Sequence, residues 1–413
     1  MRWRIAAVVS VAIAISYLDR QALPVAVQSI SRDIPLSNSQ FSVLQSAFLF
    51  SYALMYAGGG KLVDVLGTRR GFTVIMLFWS LACASHALAI SFIALAASRL
   101  LLGMGEGGGF PAATRAVAEF FPTRERATAM GIINAGTAVG AVAAPPLIAV
   151  ILSYTTWRWI FVVTGALGIL WVLVWTLARP YPEAVQSNSG ACAKPSQATR
   201  ALPWTNLFSI REVWGLVTAK FLSDAAWFFY LFWLPKYLYD ARGFDVKAVG
   251  TFAWMPSAAA GIGCLLGGSF SSYLLRREFS LGVARKTALG LSAALMPFVV
   301  LIPHVPVSFA IALFCVAYFG QQSWSTLVMV LPADLFPEHV VGSVAGLVGF
   351  GGALGGIAFG ELVGYLLDHG LGYSTVFTLA GTLHIAAFGI ILACIPAVEL
   401  LRLNQGLGCE VAG

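Results

Sequence analysis

The chain has 413 residues, a length that would ordinarily suggest two or three soluble domains. Only 10% of them are charged while 59% are hydrophobic, and the net charge is +7. Soluble proteins carry about 25% charged residues, so a soluble globule, a nucleic-acid binder and a disordered tail are excluded together, leaving a polytopic membrane protein.

A helix needs about 20 mainly apolar residues to cross a bilayer. That length predicts twelve spans, roughly 4–29, 40–64, 72–91, 93–119, 127–151, 158–178, 213–239, 247–274, 285–303, 307–332, 341–367 and 374–397. Strands of a membrane barrel would alternate polar and apolar residues over about 10 positions, whereas these stretches stay apolar throughout. Most connections are short and marked by Gly, Pro or charge, as in Gly67-Thr68-Arg69-Arg70-Gly71 and Pro122-Thr123-Arg124-Glu125-Arg126. The longest, 179–212, is rich in Ser, Pro and basic residues and reads as a flexible cytoplasmic linker. The expected organisation is a six-helix bundle over 1–178, the linker, a second bundle over 213–397 and a cytoplasmic tail over 398–413, with no appended soluble domain.

Basic residues near helix ends set orientation. One side holds Arg2, Arg4, Arg69, Arg70, Arg124, Arg126, Arg179, Lys194, Arg200, Arg211, Arg276, Arg277, Arg285, Lys286 and Arg402. The other holds only Arg32, Arg158, Arg242 and Lys247. Both termini are therefore expected in the cytoplasm, and the bias accounts for most of the net charge without an acidic partner. Arg2 and Arg4 before an apolar run imitate a secretory signal, but the run is too long and contains Asp19-Arg20, so its retention is expected. Cys83, Cys264, Cys315 and Cys394 lie in spans and Cys192 and Cys409 in cytoplasmic segments, with no metal-ligand spacing, so they read as small buried hydrophobes. No metal and no cofactor is expected, and the N-x-[ST] glycosylation sequon is absent.

Short motifs recur at an offset of 215 residues. Leu66-Gly67-x-x-Arg70 returns as Leu281-Gly282-x-x-Arg285, Phe121-Pro122 as Phe336-Pro337, and Gly131, Gly136 and Gly140 as Gly346, Gly351 and Gly355. A register held across loops and helices predicts two parallel repeats, which places a binding site near the midplane between them.

Ionisable groups inside a bilayer cost at least about 2.5–3.5 kcal/mol each and default to function. The deep ones are Asp19, Arg20, Arg99, Glu106, Lys220, Asp224 and Glu361. Asp19 and Arg20 are adjacent, so in a helix they point about 100° apart and cannot serve one partner in the same way. Pro24 cannot donate to the carbonyl of Arg20, which favours a kink beside the pair; the alternative is a self-neutralising structural pair. Arg99 and Glu106 share one helix face but sit about 10.5 Å apart along it, too far to pair directly. Glu106 lies within Gly103-Met104-Gly105-Glu106-Gly107-Gly108-Gly109, before Pro111, a stretch suited to close helix approach and local unwinding. Desolvation favours a protonated carboxyl and a neighbouring arginine the ionised one, so a carboxylate whose arginine contact comes and goes can carry a proton. The same glycines match a dinucleotide fingerprint, but no strand precedes them, and helix packing is the better reading.

Lys220 and Asp224 are one turn apart and serve either as a structural ion pair or in a site. They precede a run of aromatics: those near Lys236 and Tyr239 read as an interfacial belt, while Trp227 and Tyr230 lie deeper, where a ring with a polar tip can pack on a sugar. Gln321-Gln322-Ser323-Trp324-Ser325-Thr326 is an unusually polar run for a span and suits either hydroxyl recognition or interhelical hydrogen bonds. Glu361 has no evident partner.

The segment Gly60-Lys61-Leu62-Val63-Asp64-Val65-Leu66-Gly67-Thr68-Arg69-Arg70-Gly71 resembles the signature loop of the major facilitator superfamily. Tyr17-Leu18-Asp19-Arg20 and Arg99-x6-Glu106-x4-Pro111 resemble its anion:cation symporter branch. Lys220-Phe221-Leu222-Ser223-Asp224-Ala225-Ala226-Trp227, Phe232-Trp233-Leu234-Pro235-Lys236-Tyr237-Leu238 and Phe252-Ala253-Trp254-Met255-Pro256 resemble bacterial hexuronate transporters, and the similarity spans nearly the whole chain. The resemblance implies an all-α membrane fold of twelve transmembrane helices in two pseudo-symmetric six-helix bundles. It implies that Asp64, Arg69 and Arg70 latch the cytoplasmic side, that Arg20 binds the substrate carboxylate with Tyr17 and Tyr52 nearby, that Asp19 and Glu106 titrate, and that Arg99 is the switching partner. The second-half loop departs from the pattern, with serines in Gly268-Ser269-Phe270-Ser271-Ser272 where the first half has Asp64, which argues against a symmetric second latch.

The sequence thus predicts not an enzyme but a symporter of the inner membrane that imports a hexuronate, glucuronate or galacturonate, with protons. Lys220, Asp224, Trp227, Gln321, Gln322 and Trp324 join Arg20, Tyr17 and Tyr52 as candidate substrate contacts. Its partners are the anionic sugar, protons and membrane lipid, and no nucleic acid; nothing demands more than a monomer. The alternatives are another sugar acid, such as galactonate or glucarate, and a drug antiporter, whose usual Gly-Pro dipeptide in the fifth span is missing from Gly131–Val150. An intramembrane hydrolase would need motifs such as H-E-x-x-H or G-x-S-x-G, and both are absent.

Overall fold

The computed structural model describes residues 2–121, 123–177 and 207–401, and the side chains of these except 57–61, 64, 118, 123–128, 338, 339 and 342. The linker and tail expected at 179–212 and 398–413 lie largely outside the described residues. The chain there folds into α1 (Arg2–Asp33), α2 (Asn38–Leu66), α3 (Thr68–Ser85), α4 (Phe92–Glu106), α5 (Gly109–Phe120), α6 (Thr123–Tyr154), α7 (Trp157–Leu177), α8 (Arg211–Arg242), α9 (Val246–Phe252), α10 (Trp254–Arg276), α11 (Leu281–Ala294), α12 (Val307–Leu335), α13 (Glu338–Asp368) and α14 (Gly372–Cys394). Three expected spans are interrupted. The fourth splits at Gly107-Gly108 into α4 and α5, the eighth splits at Ala253 into α9 and α10, and the ninth tightens after α11 into a 3-10 helix, Met296–His304. Pro297, at the start of that segment, lacks the N–H that would continue the α-helical ladder.

Among the described residues, nine helices are long and apolar enough to cross a membrane. The three expected spans outside that set are α2, α4–α5 and α8, and between them they carry Gln45, Arg99, Glu106, Lys220 and Asp224. Together they are consistent with twelve spans, and α4–α5 and α8 hold four of the six buried charges.

The two halves repeat one packing scheme. In the first, α1 packs on α6, α2 on α4 and α3 on α7; in the second, α8 packs on α13, α10 on α12, and α11 with its 3-10 extension on α14. The glycine repeat explains itself physically. A Cβ on Gly136 or Gly140 would run into the backbone of α1 at Ser10 and Ala14, and one on Gly351 or Gly355 into α8 at Val217 and Phe221. Gly131 and Gly346, which also correspond, have nothing within 4 Å. Gly140→Ala and Gly355→Ala should each lose about 1–3 kcal/mol through overpacking. Gly131→Ala and Gly346→Ala should instead gain about 0.5–1 kcal/mol from reduced backbone freedom. Melting temperatures of the detergent-purified variants check this reversal of sign.

Contacts between the halves gather at one end. The Asp368 carboxylate accepts the backbone N–H groups of Asn38 (2.9 Å) and Ser39 (2.8 Å), placing an anion on the exposed donors of the first turn of α2. Gly364 lets α13 lie against Asn38 and Ser39, and the Phe41 ring meets Trp233 edge-on at 5.0 Å. Tyr239 donates its hydroxyl to the Val25 carbonyl at 2.6 Å. These contacts correct the expectation of an interfacial belt: Trp233, Tyr237 and Tyr239 are buried, because this end of α8 faces the other half and the second-half core rather than lipid. On α6 and α13, a Cβ at Gly131, Gly346 or Gly349 would meet nothing within 4 Å.

Of the expected latch, the Asp64 side chain lies outside the described residues. Arg69 donates to the Thr176 carbonyl at 2.7 Å, fixing the loop to α7, and Arg70 is exposed. Thr68 donates to Glu119 of α5. The second half has its own version of this tie: Arg285 of α11 pairs with Asp334 at 2.8 Å and donates to Ser271 of α10 at 2.9 Å, so that serine is an acceptor for the arginine. Asp334 stands 215 residues after Glu119, the offset of the repeat.

Candidate functional site

Six charged side chains are buried among the described residues: Asp19 and Arg20 of α1, Arg99 and Glu106 of α4, and Lys220 and Asp224 of α8. The 100° between neighbours on α1 sends Asp19 and Arg20 to different partners, which rules out a self-neutralising pair here. Arg20 Nε bonds Glu106 Oε2 at 2.7 Å, and Ser16, one turn earlier on the same face, donates to that oxygen at 2.6 Å. The Arg20 guanidinium lies over the rings of Tyr17 (4.7 Å) and Tyr52 (4.5 Å), so aromatic faces supply what a carboxylate alone does not. Glu106 Oε1 is a buried oxygen without a partner among the described atoms.

Asp19 turns instead to α3. Trp79 donates its indole N–H to Oδ2 at 2.6 Å, and the Cys83 thiol donates to Oδ1 at 3.3 Å and lies 3.1 Å from the Thr164 hydroxyl. Cys83 is therefore more than the small hydrophobe its sequence context suggests. The glycine-rich stretch acts as the sequence predicts. Cβ atoms on Gly103 and Gly107 would strike Phe48, Ser51 and Tyr52 of α2, and one on Gly105 would strike Trp79, so α4 approaches both neighbours closely and brings Glu106 to α1.

Arg99 and Glu106 do not meet, as their spacing requires. Arg99 donates to Gln45 Oε1 at 2.8 Å and lies 5.3 Å from the Phe48 ring centroid. Its Nε and Nη1, together with Gln45 Nε2 and His86 Nε2, are buried without hydrogen-bond partners among the described atoms. A cation so poorly satisfied is prepared to exchange partners.

Across the molecule, Lys220 Nζ bonds Asp224 Oδ1 at 2.8 Å and the Ser325 hydroxyl at 2.8 Å. Gln321 Nε2 reaches the same Asp224 oxygen at 3.4 Å, while its carbonyl is held by His384. A Cβ on Gly352 would strike Asp224, so α13 closes over the pair. The helices α1 and α8, which carry parts of the two clusters, pack against each other across the interface between the halves. Trp227 is half-buried, with its ring edge-on to Tyr318 at 5.2 Å. Gln322, next to Gln321 in the chain, is half-buried.

Two expected contacts stand apart. Trp324 is fully buried, its ring 5.6 Å from His384 and 6.4 Å from Phe388 inside the second bundle, because its position on α12 points toward α14. Tyr230 is likewise fully buried in the core. Glu361, unpartnered in the sequence reading, accepts from Ser46 of α2 at 2.5 Å.

Sequence reasoning missed Ser16, Gln45, Trp79 and His384, while Ser325 falls in the polar run it singled out. The signal for two of them was present: Ser16 precedes Arg20 by one helical turn, and Trp79 and Cys83 stand one turn apart on α3.

The Major Facilitator Superfamily model matches residues 9–360. The chain is 29% identical to the Hexuronate transporter of Escherichia coli (strain K12), covering 97% of this chain and 96% of the relative. It is 33% identical to the Galacturonate transporter of Dickeya chrysanthemi over 72% of this chain and 89% of the relative. Among solved structures, a bacterial homolog of the human lysosomal transporter Spinster, inward-facing and unoccupied, superposes with a TM-score of 0.72 at 18% identity, covering 96% of this chain and 95% of that one.

Proposed function

We propose that this chain, which belongs to the major facilitator superfamily, imports a hexuronate, glucuronate or galacturonate, together with protons by alternating access. The coarser statement needs no proposal: it is a multi-pass membrane transporter and not an enzyme. The substrate class draws support from the named relatives, and the mechanism from one observation, the buried Arg20 shared by Glu106, Tyr17 and Tyr52.

A monoanion entering a negative cell is opposed by about 2.3 kcal/mol per 100 mV, which a co-transported proton offsets. Glu106 occupies the arginine that a substrate carboxylate needs. A proton on Glu106 weakens that ion pair and frees Arg20 for the sugar acid; loss of the proton restores the pair and expels the anion. Asp19 is the second proton carrier, and Arg99 exchanges Gln45 for a carboxylate as the halves move. Tyr17 and Tyr52 flank the bound carboxylate, while Lys220, Asp224, Trp227, Gln321 and Gln322 meet the hydroxylated end. Protonated carboxyls also lower the cost of carrying the loaded site past apolar gates.

The basic-residue bias puts the Asp368–Asn38 end outside and both termini in the cytoplasm of an inner-membrane protein. On that orientation α2 against α13 closes the outer side, and the halves rock about the central site. Proteoliposome uptake of glucuronate and galacturonate, beside galactonate and glucarate, under an imposed pH gradient is the test. Accumulation should follow the gradient at least tenfold and collapse with a protonophore. Uptake indifferent to the gradient would remove proton coupling from this reading.

A further inference from the structure

We infer that Asp224 sets the charge of the substrate: by neutralising Lys220 it makes the second-half pole of the site a neutral hydrogen-bonding surface, so that the carrier takes sugar acids with one carboxylate and rejects those with two. The inference rests on the sugar-acid reading above and narrows it.

Three cations, Arg20, Arg99 and Lys220, and three carboxylates, Asp19, Glu106 and Asp224, are buried among the described residues, and with all ionised they sum to zero. Lys220 and Asp224 cancel at the second-half pole by themselves, so a carboxylate arriving there adds an uncompensated charge, and burying such a charge is far costlier than burying a hydroxyl that finds a partner.

Geometry says where the second carboxylate would fail. In the first half, Arg20 is the cation that one carboxylate can claim from Glu106. In the second half the only buried cation among the described residues is Lys220, and it is engaged by Asp224 at 2.8 Å and Ser325 at 2.8 Å. Asp224 has little freedom to leave. It is buried, it lies one turn from Lys220 on the same helix, Gln321 Nε2 lies 3.4 Å from its bonded oxygen, and the backbone of α13 at Gly352 covers it. A carboxylate arriving here meets the Asp224 charge before it reaches a free ammonium. A hydroxyl arriving here meets none of that repulsion and can donate to Asp224 or accept from Gln321. Discrimination thus comes from a built-in repulsion as well as from attraction at Arg20.

Replacing Asp224 by its isostere Asn releases the Lys220 ammonium and adds one unit of positive charge, which suits a dianion. The probes are D-glucuronate, with one carboxylate, and D-glucarate, with two, on the purified full-length protein in thermal-shift binding and in proteoliposome uptake. The wild type should prefer glucuronate at least tenfold. D224N should shift the glucarate-to-glucuronate ratio toward glucarate by at least tenfold, whatever its absolute rate. The double variant K220Q/D224N, neutral again at this pole, should return the ratio toward the wild-type value. The inference is overturned if wild type handles glucarate as well as glucuronate, if D224N still binds glucuronate with an unchanged ratio, or if the double variant accepts glucarate as readily as D224N. Should D224N not fold, the wild-type preference and the double variant still decide it. A wild type that binds no sugar acid at all defeats the underlying reading, an outcome distinct from an unchanged ratio.

Discussion

Arg20→Lys is expected to lower sugar-acid uptake at least about 100-fold, equivalent to about 2.8 kcal/mol, while leaving the protein folded. The charge survives in this variant, so Glu106 retains a cation and the buried pair is not orphaned. What disappears is the planar fork. Arg20 uses Nε for Glu106, 2.7 Å away, and lies over Tyr17 at 4.7 Å and Tyr52 at 4.5 Å. A guanidinium can keep one donor on Glu106 and offer others to an incoming carboxylate, sliding between the two without leaving the aromatic faces; an ammonium is a compact point charge that commits to one. Arg20→Gln goes further and leaves Glu106 buried without its cation, a change that typically costs 3–5 kcal/mol, so lower yield and melting temperature should accompany the lost transport. Measuring uptake and thermal stability together separates the two effects. Arg20→Lys uptake above about a tenth of wild type would show that the fork is not what holds the substrate.

Much of the site was legible because local geometry dictates it. The divergence of Asp19 and Arg20 follows from adjacency on a helix, the separation of Arg99 from Glu106 from seven residues of rise, and the packing of α4 from its glycines. The repeat at 215 residues located the equivalent glycines of α6 and α13 before any coordinates did. What stayed hidden depends on which helices cross and at what height. Glu106 reaches Arg20 because α4, packed on α2 and α3, ends where its side chain meets α1, and no spacing along one helix reports that. Gln45 and Ser46 illustrate the difficulty: they are neighbours on α2, yet one serves Arg99 within its own half and the other Glu361 across the interface. Trp324 failed as a contact for the opposite reason, since a polar run covers every face of a helix and only one faces the site. The aromatics of α8 read as a lipid belt because burial in a membrane protein and exposure to lipid select the same residues.

Glu106→Gln should abolish accumulation driven by a pH gradient while binding and counterflow exchange persist within a few-fold of wild type. The amide is nearly isosteric, and its oxygen can take the place of Oε2, accepting from Ser16 and Arg20 as now at 2.6 and 2.7 Å. Its NH2 would then occupy the Oε1 position, which receives no hydrogen bond among the described atoms, so no donor is turned against a donor. The hydrogen bonds are preserved, but Arg20 is left buried without its anion, which typically costs about 3–5 kcal/mol of stability, and the titration is lost. The substrate then meets an arginine that is always available and nothing that expels it against a gradient, which leaves exchange without concentration. Asp19→Asn offers the contrast. Both of its oxygens already accept, Oδ2 from Trp79 at 2.6 Å and Oδ1 from Cys83 at 3.3 Å, so an amide in either orientation faces one donor with another. That donor-to-donor clash should cost about 1–3 kcal/mol of stability without leaving a buried arginine unpaired. Melting temperatures lowered in both variants, beside loss of pH-driven accumulation with binding retained in Glu106→Gln, would tie coupling to the proton on Glu106. Coupled accumulation surviving in Glu106→Gln would instead transfer that role to Asp19, whose donors from α3 hold it ready to ionise without an arginine.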